Sequence, residues 1–89
     1  MEKLVEKMMK LARKRYEGNK YAGNVWYQAG CLHTCIKKYK RYKRYQDKKD
    51  AESIYRWLDY DVKQLGDSDI TALYKEVGNL LAGLWLCLL

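Results

Sequence analysis

The chain has 89 residues, an apolar fraction of 48% and no Pro. This length excludes a second domain, and the ordinary apolar fraction excludes a disordered chain. The three Cys residues and an amino-terminal segment charged from Glu2 onward predict a protein of the reducing cytoplasm, without a secretory leader. The apolar segment 77–89 would reach about 20 Å as a helix, against roughly 30 Å of bilayer, so we expect no membrane span.

Charge is divided unevenly along the chain. The net charge is +7, but residues 1–49 contain fifteen Lys or Arg and four Asp or Glu, whereas residues 50–89 contain three and seven. Such asymmetry predicts an acidic or polyanionic partner for the first half of the chain. Part of the positive excess is also expected to pair with acids of the second half.

Apolar residues recur at helical spacing in four segments, which predict helices at about 2–17, 25–47, 51–65 and 69–88. Gly18 and Asn19 should end the first helix, and Asn24 should cap the second. Asp50 should cap the third helix, Gly66 should end it, and an acid or Ser of segment 67–69 should cap the fourth. Most positions between these segments are turn formers or capping residues.

The predicted fold is therefore all-α, a small four-helix bundle formed by one domain over residues 1–89. The second half of the last helix has no charged residue on any face, which predicts that this helix lies at the centre of the bundle. The alternative is that Trp85, Leu86 and Leu89 form a surface for homodimerisation or for a target.

No group of residues suggests an enzyme or a metal site. His33 is the single histidine and has no acid at helical contact spacing. Cys31 and Cys35 would share one face of a helix, but His33 would point about 160° away from both. No phosphate-binding glycine loop is present either. We therefore expect a binding protein without catalytic residues, metal or cofactor.

The segment 36–49, IKKYKRYKRYQDKK, provides the strongest functional signal. Continued as one helix, it would align Lys37, Arg41, Arg44 and Lys48 within about 60° of one another, as a cationic ridge opposite the apolar stripe. Lys38, Lys40 and Lys43 add to this charge. Tyr42 and Tyr45 point away from the core, so that their rings can stack on bases. A second ridge on the first helix comprises Lys3, Lys7, Lys10 and Lys14.

These ridges favour a module that binds nucleic acid or a ribonucleoprotein complex through phosphate contacts. The alternative is a small inhibitor or adaptor that binds a protein, for example a mobile-element inhibitor of a host nucleic-acid-processing or defence complex. Attachment of basic amphipathic helices to a membrane surface ranks third, because lipid would have to replace the packing between helices. A charged face that keeps the protein soluble is the simplest explanation of any such run, although solubility favours mixed signs.

Overall fold

The structure is a computed structural model that describes the backbone of residues 1–87 and the side chains of residues 1–83. Its four α-helices are α1 (Glu2–Lys14), α2 (Lys20–Tyr42), α3 (Tyr45–Leu65) and α4 (Ser68–Cys87). Within this part of the chain there is no strand, and the predicted all-α bundle of four helices is confirmed. None of the described helices combines the length and the hydropathy needed to cross a bilayer.

The helices form a ring in which each packs against its neighbours in the chain and α4 closes on α1. Short connections make consecutive helices antiparallel, so that the start of α1 lies beside the end of α2, where Glu2 pairs with Lys40. The described part of α4 contacts α1 and α3 but not α2, and so forms one side of the bundle rather than its centre. The physical reason is that Lys75, Glu76 and Asn79 keep one face of α4 in water.

The core is built from the apolar stripes that the spacing predicts. Each helix contributes three or four buried residues, namely Val5, Met8 and Ala12, then Val25, Ala29, Leu32 and Ile36, then Ala51, Ile54, Leu58 and Val62, and finally Ile70, Tyr74, Val77 and Leu81. Helical spacing places Leu80 on the apolar side of α4 beside Val77 and Leu81, but the structure leaves it exposed. The predicted surface of Trp85, Leu86 and Leu89 lies outside the side chains that the structure describes.

The connection between α1 and α2 is shorter than predicted, because α2 begins at Lys20 and not at residue 25. Asn19 is the N-cap, and its Oδ1 accepts hydrogen bonds from the backbone N–H groups of Tyr21 (2.9 Å) and Ala22 (3.3 Å). The prediction that Asn24 caps this helix is therefore wrong. The Asn24 side chain instead donates from Nδ2 to Oδ1 of the buried Asp61 in α3, at 3.2 Å. An earlier start adds Ala22 to the core.

The largest departure from the predicted boundaries lies between α2 and α3. The predicted helix 25–47 ends at Tyr42, and α3 begins at Tyr45, so Asp50 lies inside α3 and does not cap it. Lys43 adopts a left-handed conformation with φ of 56°, and its N–H donates to Tyr39 O at 2.8 Å. The reason is that the apolar stripe of α2 ends at Tyr39, and a continued helix would bring Lys43 to the next core position. Reversing the chain there allows α3 to pack back against α2.

Tyr55 and Tyr74 join α3 to α4 through a reciprocal contact. Their rings stack with centroids 4.3 Å apart. The Tyr55 hydroxyl donates to Tyr74 O at 2.9 Å, and the Tyr74 hydroxyl donates to Tyr55 O at 2.6 Å. Gly78 permits this approach, because a Cβ there would overlap the Tyr55 hydroxyl. Burial raises the pKa of both phenols above the ordinary value, and for Tyr74 the neighbouring Tyr55 raises it further.

The left-handed Lys43 predicts that Lys43→Gly stabilises the fold. A non-glycine residue in this conformation costs about 1–2 kcal/mol, so glycine should raise the free energy of unfolding by about 1 kcal/mol. The corresponding rise in Tm would be about 4–8 °C for a domain of this size, as measured by thermal unfolding followed by circular dichroism. Lys43→Ala is the control, because it removes the same charge but keeps a Cβ; an equal gain in both variants would contradict the explanation.

The raised pKa values of Tyr55 and Tyr74 predict that the protein loses stability at alkaline pH. In the unfolded chain they ionise near the ordinary pKa of about 10, whereas in the fold they stay protonated to higher pH. The folded state therefore binds more protons above about pH 10, and each phenol lowers the free energy of unfolding by up to about 1.4 kcal/mol per pH unit there. Tyr74→Phe should make this decline shallower in urea unfolding at pH 8 to 11. Parallel curves for wild type and variant would disprove the assignment.

Candidate functional site

The chain reversal between α2 and α3 gathers basic side chains at one end of the bundle. We call this region the basic turn, and its cations are Lys37, Lys38, Lys40, Arg41, Lys43, Arg44, Lys48 and Lys49. The first four lie in the last turns of α2, where positive charge also interacts favourably with the C-terminal end of the helix dipole. The others lie in the connection and in the first two turns of α3.

The single ridge of Lys37, Arg41, Arg44 and Lys48 predicted along one helix does not exist. Arg44 is the N-cap of α3 and Lys48 belongs to α3, so only Lys37 and Arg41 keep the predicted spacing. The predicted alignment required one continuous helix through residue 47, whereas α2 ends at Tyr42. The reversal nevertheless keeps all four residues at the same end of the molecule, because the connection is so short.

Acids neutralise part of the basic turn. Lys40 Nζ lies 3.4 Å from Glu2 Oε1 of α1, and Arg44 Nε lies 2.9 Å from Oδ2 of the buried Asp47. Lys37, Lys38, Arg41 and Lys43, in contrast, are exposed, and none of them has an acidic partner among the described residues. Together with the exposed Lys49, these four cations present positive charge to solvent at the turn.

The two tyrosines proposed to stack on bases are both exposed, Tyr42 by 53% and Tyr45 by 66%. Their ring faces, however, already lie near cations. The guanidinium carbons of Arg41 and Arg44 lie 5.4 and 4.9 Å from the centroid of the Tyr42 ring. Lys49 Nζ lies 5.3 Å from that of Tyr45. Cation–π attraction thus holds these cations close together in spite of their mutual repulsion.

A shallow groove of about 340 Å³ runs along the outer face of α2 toward the turn. We call it the cationic groove, and it is lined by His33, Thr34, Lys37, Lys38, Arg41 and Tyr42. Lys37, Lys38 and Arg41 provide donors for an anionic ligand along this groove, without an acid in the lining. This is the part of the basic turn with the geometry of a binding site.

The predicted ridge on α1 is present, since Lys3, Lys7, Lys10 and Lys14 are all exposed. No acid pairs with any of them among the described residues. Two acids of the same helix, Glu2 and Glu6, face α2 instead, where they contact Lys40 and His33. The α1 ridge and the basic turn are therefore separate cationic surfaces with acids between them.

His33 and the cysteines of α2 do not form a metal site. His33 Nε2 lies 3.1 Å from Glu6 Oε1, a contact across helices that spacing along one helix could not reveal. Among the described residues, no three His, Cys, Asp or Glu side chains converge to hold an ion. Burial, and then the carboxylates of Asp50 and Asp47, raise the pKa of the Cys35 thiol, which makes it a poor nucleophile.

Sequence reasoning did not identify a second depression, which lies on the outer face of α2 beside α1. We call it the aromatic recess, and it has a volume of about 360 Å³ and is lined by Met9, Trp26, Tyr27, Gly30, Cys31 and Thr34. The available signal was Gly30, a glycine inside a helical pattern, with Trp26 and Tyr27 one turn earlier. A missing side chain at position 30 leaves room next to two large rings.

No match is found for this chain among protein-family models, curated proteins or solved structures.

Proposed function

We propose that the protein binds nucleic acid, alone or within a ribonucleoprotein complex, through phosphate contacts made by the basic turn. The observation that carries this proposal is the groove in which Lys37, Lys38 and Arg41 lie together without an acid. A phosphate backbone supplies negative charges at regular spacing, and each contact with Lys or Arg releases condensed counterions. Such binding offsets the repulsion between these cations.

The arrangement favours contacts to the backbone over sequence-specific reading of bases. The cations lie at the end of α2, in the tight turn and at the start of α3, and these two helices pack back against each other. Proteins that read the major groove present a recognition helix to base edges. Lys and Arg in a shallow groove position a phosphate chain but carry no base code.

A second candidate function is that of a small protein-binding inhibitor or adaptor. Trp57 and Tyr60 of α3 favour it, because both are more than 60% exposed and lie one turn apart on a helix face. Exposed Trp and Tyr side chains are typical of the centres of protein interfaces. If this candidate is right, Trp57→Ala should abolish binding to the protein target, whereas charge reversal in the basic turn should not.

The proposal predicts a strong effect of charge reversal in the cationic groove. The variant Lys37→Glu, Lys38→Glu, Arg41→Glu should lose at least about tenfold in affinity for a 12-nucleotide single strand and for a 12-base-pair duplex. The slope of log K against log salt should fall by about 2–3, since each lost phosphate contact removes about 0.7–0.9. Fluorescence anisotropy over a salt titration measures both quantities.

The matched control is the variant Arg56→Glu, Lys63→Glu, Lys75→Glu. It changes the net charge by the same amount, but at the three bases of residues 50–89. We expect this control to bind almost as well as wild type. Equal losses in both variants would show that net charge alone attracts the nucleic acid. Affinity that does not change with salt, or polyglutamate bound as tightly as either oligonucleotide, would also contradict the proposal.

A further inference from the structure

The aromatic recess and the cationic groove are parts of one continuous surface. Thr34 lines both, with the rings of Trp26 and Tyr27 on one side of it and Lys37, Lys38 and Arg41 on the other. The two depressions follow each other along the outer face of α2. A ligand that occupies one therefore extends naturally into the other.

We propose that this surface is a binding track for single-stranded nucleic acid, in which the aromatic recess holds an unpaired base and the cationic groove holds the adjoining phosphates. The inference rests on the proposed function and specifies its ligand. Single-strand-binding proteins combine these two elements, a basic path for the backbone and aromatic rings on which bases stack.

The recess has the composition expected for a base. Its accessible lining is mainly apolar, and its volume of about 360 Å³ lies in the range of small-ligand sites. Tyr27 is 74% exposed, the most of any aromatic side chain that the structure describes. No aromatic or cationic side chain stacks on this ring within the described part of the chain. The Tyr27 ring is therefore available to a ligand.

The rings of the basic turn are less suited to this role. Arg41 and Arg44 lie close to the Tyr42 ring, and Lys49 lies close to the Tyr45 ring, so a base would have to displace them. Tyr42 holds the guanidinium groups in place for phosphates, and Tyr27 receives the base. This division differs from the stacking role that the sequence predicted for Tyr42 and Tyr45.

Cations are present at the other end of the recess as well. Trp26 and Met9 also line a neighbouring depression with Lys10 and Arg13 of α1. The Arg13 guanidinium lies 5.6 Å from the centroid of the Trp26 ring. Glu6 lines the same depression, but it is held in contact with His33. Positive charge thus lies on both sides of the recess, as a phosphate chain that passes over it requires.

The length of the track agrees with a short single strand. Tyr27 and Arg41 lie fourteen positions apart in α2, a distance of about 21 Å at 1.5 Å per residue. At about 3.4 Å per stacked nucleotide this distance corresponds to roughly six nucleotides, within the range of single-strand sites. A duplex gains nothing from the recess, because its bases are paired and stacked inside the helix.

Affinity for matched ligands tests the inference. Phosphate contacts alone favour the duplex, because it has the denser charge. We expect a 12-nucleotide oligo(dT) to bind at least about fivefold tighter than a 12-base-pair duplex, and this preference would reveal base stacking. Tyr27→Ala should weaken oligo(dT) binding by about 5- to 100-fold, the range for loss of one stacked base, and leave duplex binding unchanged. Tyr27→Phe should retain the affinity, because it keeps the ring.

Two further variants separate the recess from exposed aromatic surface in general. Gly30→Leu fills the recess and should weaken oligo(dT) binding as Tyr27→Ala does. Trp57→Ala removes another large exposed ring, from α3, and should bind oligo(dT) like wild type. Bound oligo(dT) should also protect Cys31, which lines the recess, from alkylation by iodoacetamide, as read from the mass of the Cys31 peptide.

The outcomes distinguish this inference from the proposed function. If single strand and duplex bind equally, or if Tyr27→Ala and Gly30→Leu leave oligo(dT) binding intact, the single-strand track is wrong even where charge reversal in the cationic groove abolishes binding. If neither nucleic acid binds in low salt, the proposed function fails and the track fails with it. If the protein does not bind oligo(dT) but binds polyglutamate, and the recess variants weaken that binding, the surface is a site for an acidic protein segment.

Discussion

The packing of α3 back against α2 is the constraint on which the rest of the molecule depends. These two helices share the most extensive contact of the bundle, and they can meet only if the chain reverses where the apolar stripe of α2 ends, at Tyr39. Burying Ala51, Ile54 and Leu58 outweighs the cost of a left-handed Lys43 in a turn without glycine. The distribution of charge follows from this reversal.

Because the reversal falls inside the most basic segment of the chain, it folds one run of cations into a cluster. A straight helix would have spread them along one side, with each cation one turn from the next. In the fold they share one end of the bundle, and Glu2 and Asp47 neutralise two of them. Among the remaining cations, Lys37, Lys38 and Arg41 line the cationic groove. The packing of α3 against α2 thus gathers at one end of the bundle the cations that the sequence supplies.

The helix α2 serves two purposes on opposite sides. Its inner face contributes Val25, Ala29, Leu32 and Ile36 to the core, and this packing fixes the direction of the outer face. Gly30 and Thr34 have small side chains on that outer face. They leave a depression between the rings of Trp26 and Tyr27 and the cations that follow along the helix. A rigid helix at the centre of the packing between α1 and α3 is a suitable support for a binding surface, since its side chains keep their spacing when a ligand arrives.

By itself, the sequence determined the fold class, the four helices, the core stripes and the helix end at Gly66, because helical periodicity and capping are local properties. It also determined that the excess of positive over negative charge lies in the first half of the chain. Tertiary structure decided where α2 begins and where it stops. Asn24 is as good a capping residue for α2 as Asn19, and Asp50 could have capped a later third helix, so only packing selects among these boundaries. It also decided which cations find an acid, as Lys40 does with Glu2 of another helix. The aromatic recess needs Met9 of α1 beside Gly30 of α2, and residues so far apart in the chain are brought together only by the fold.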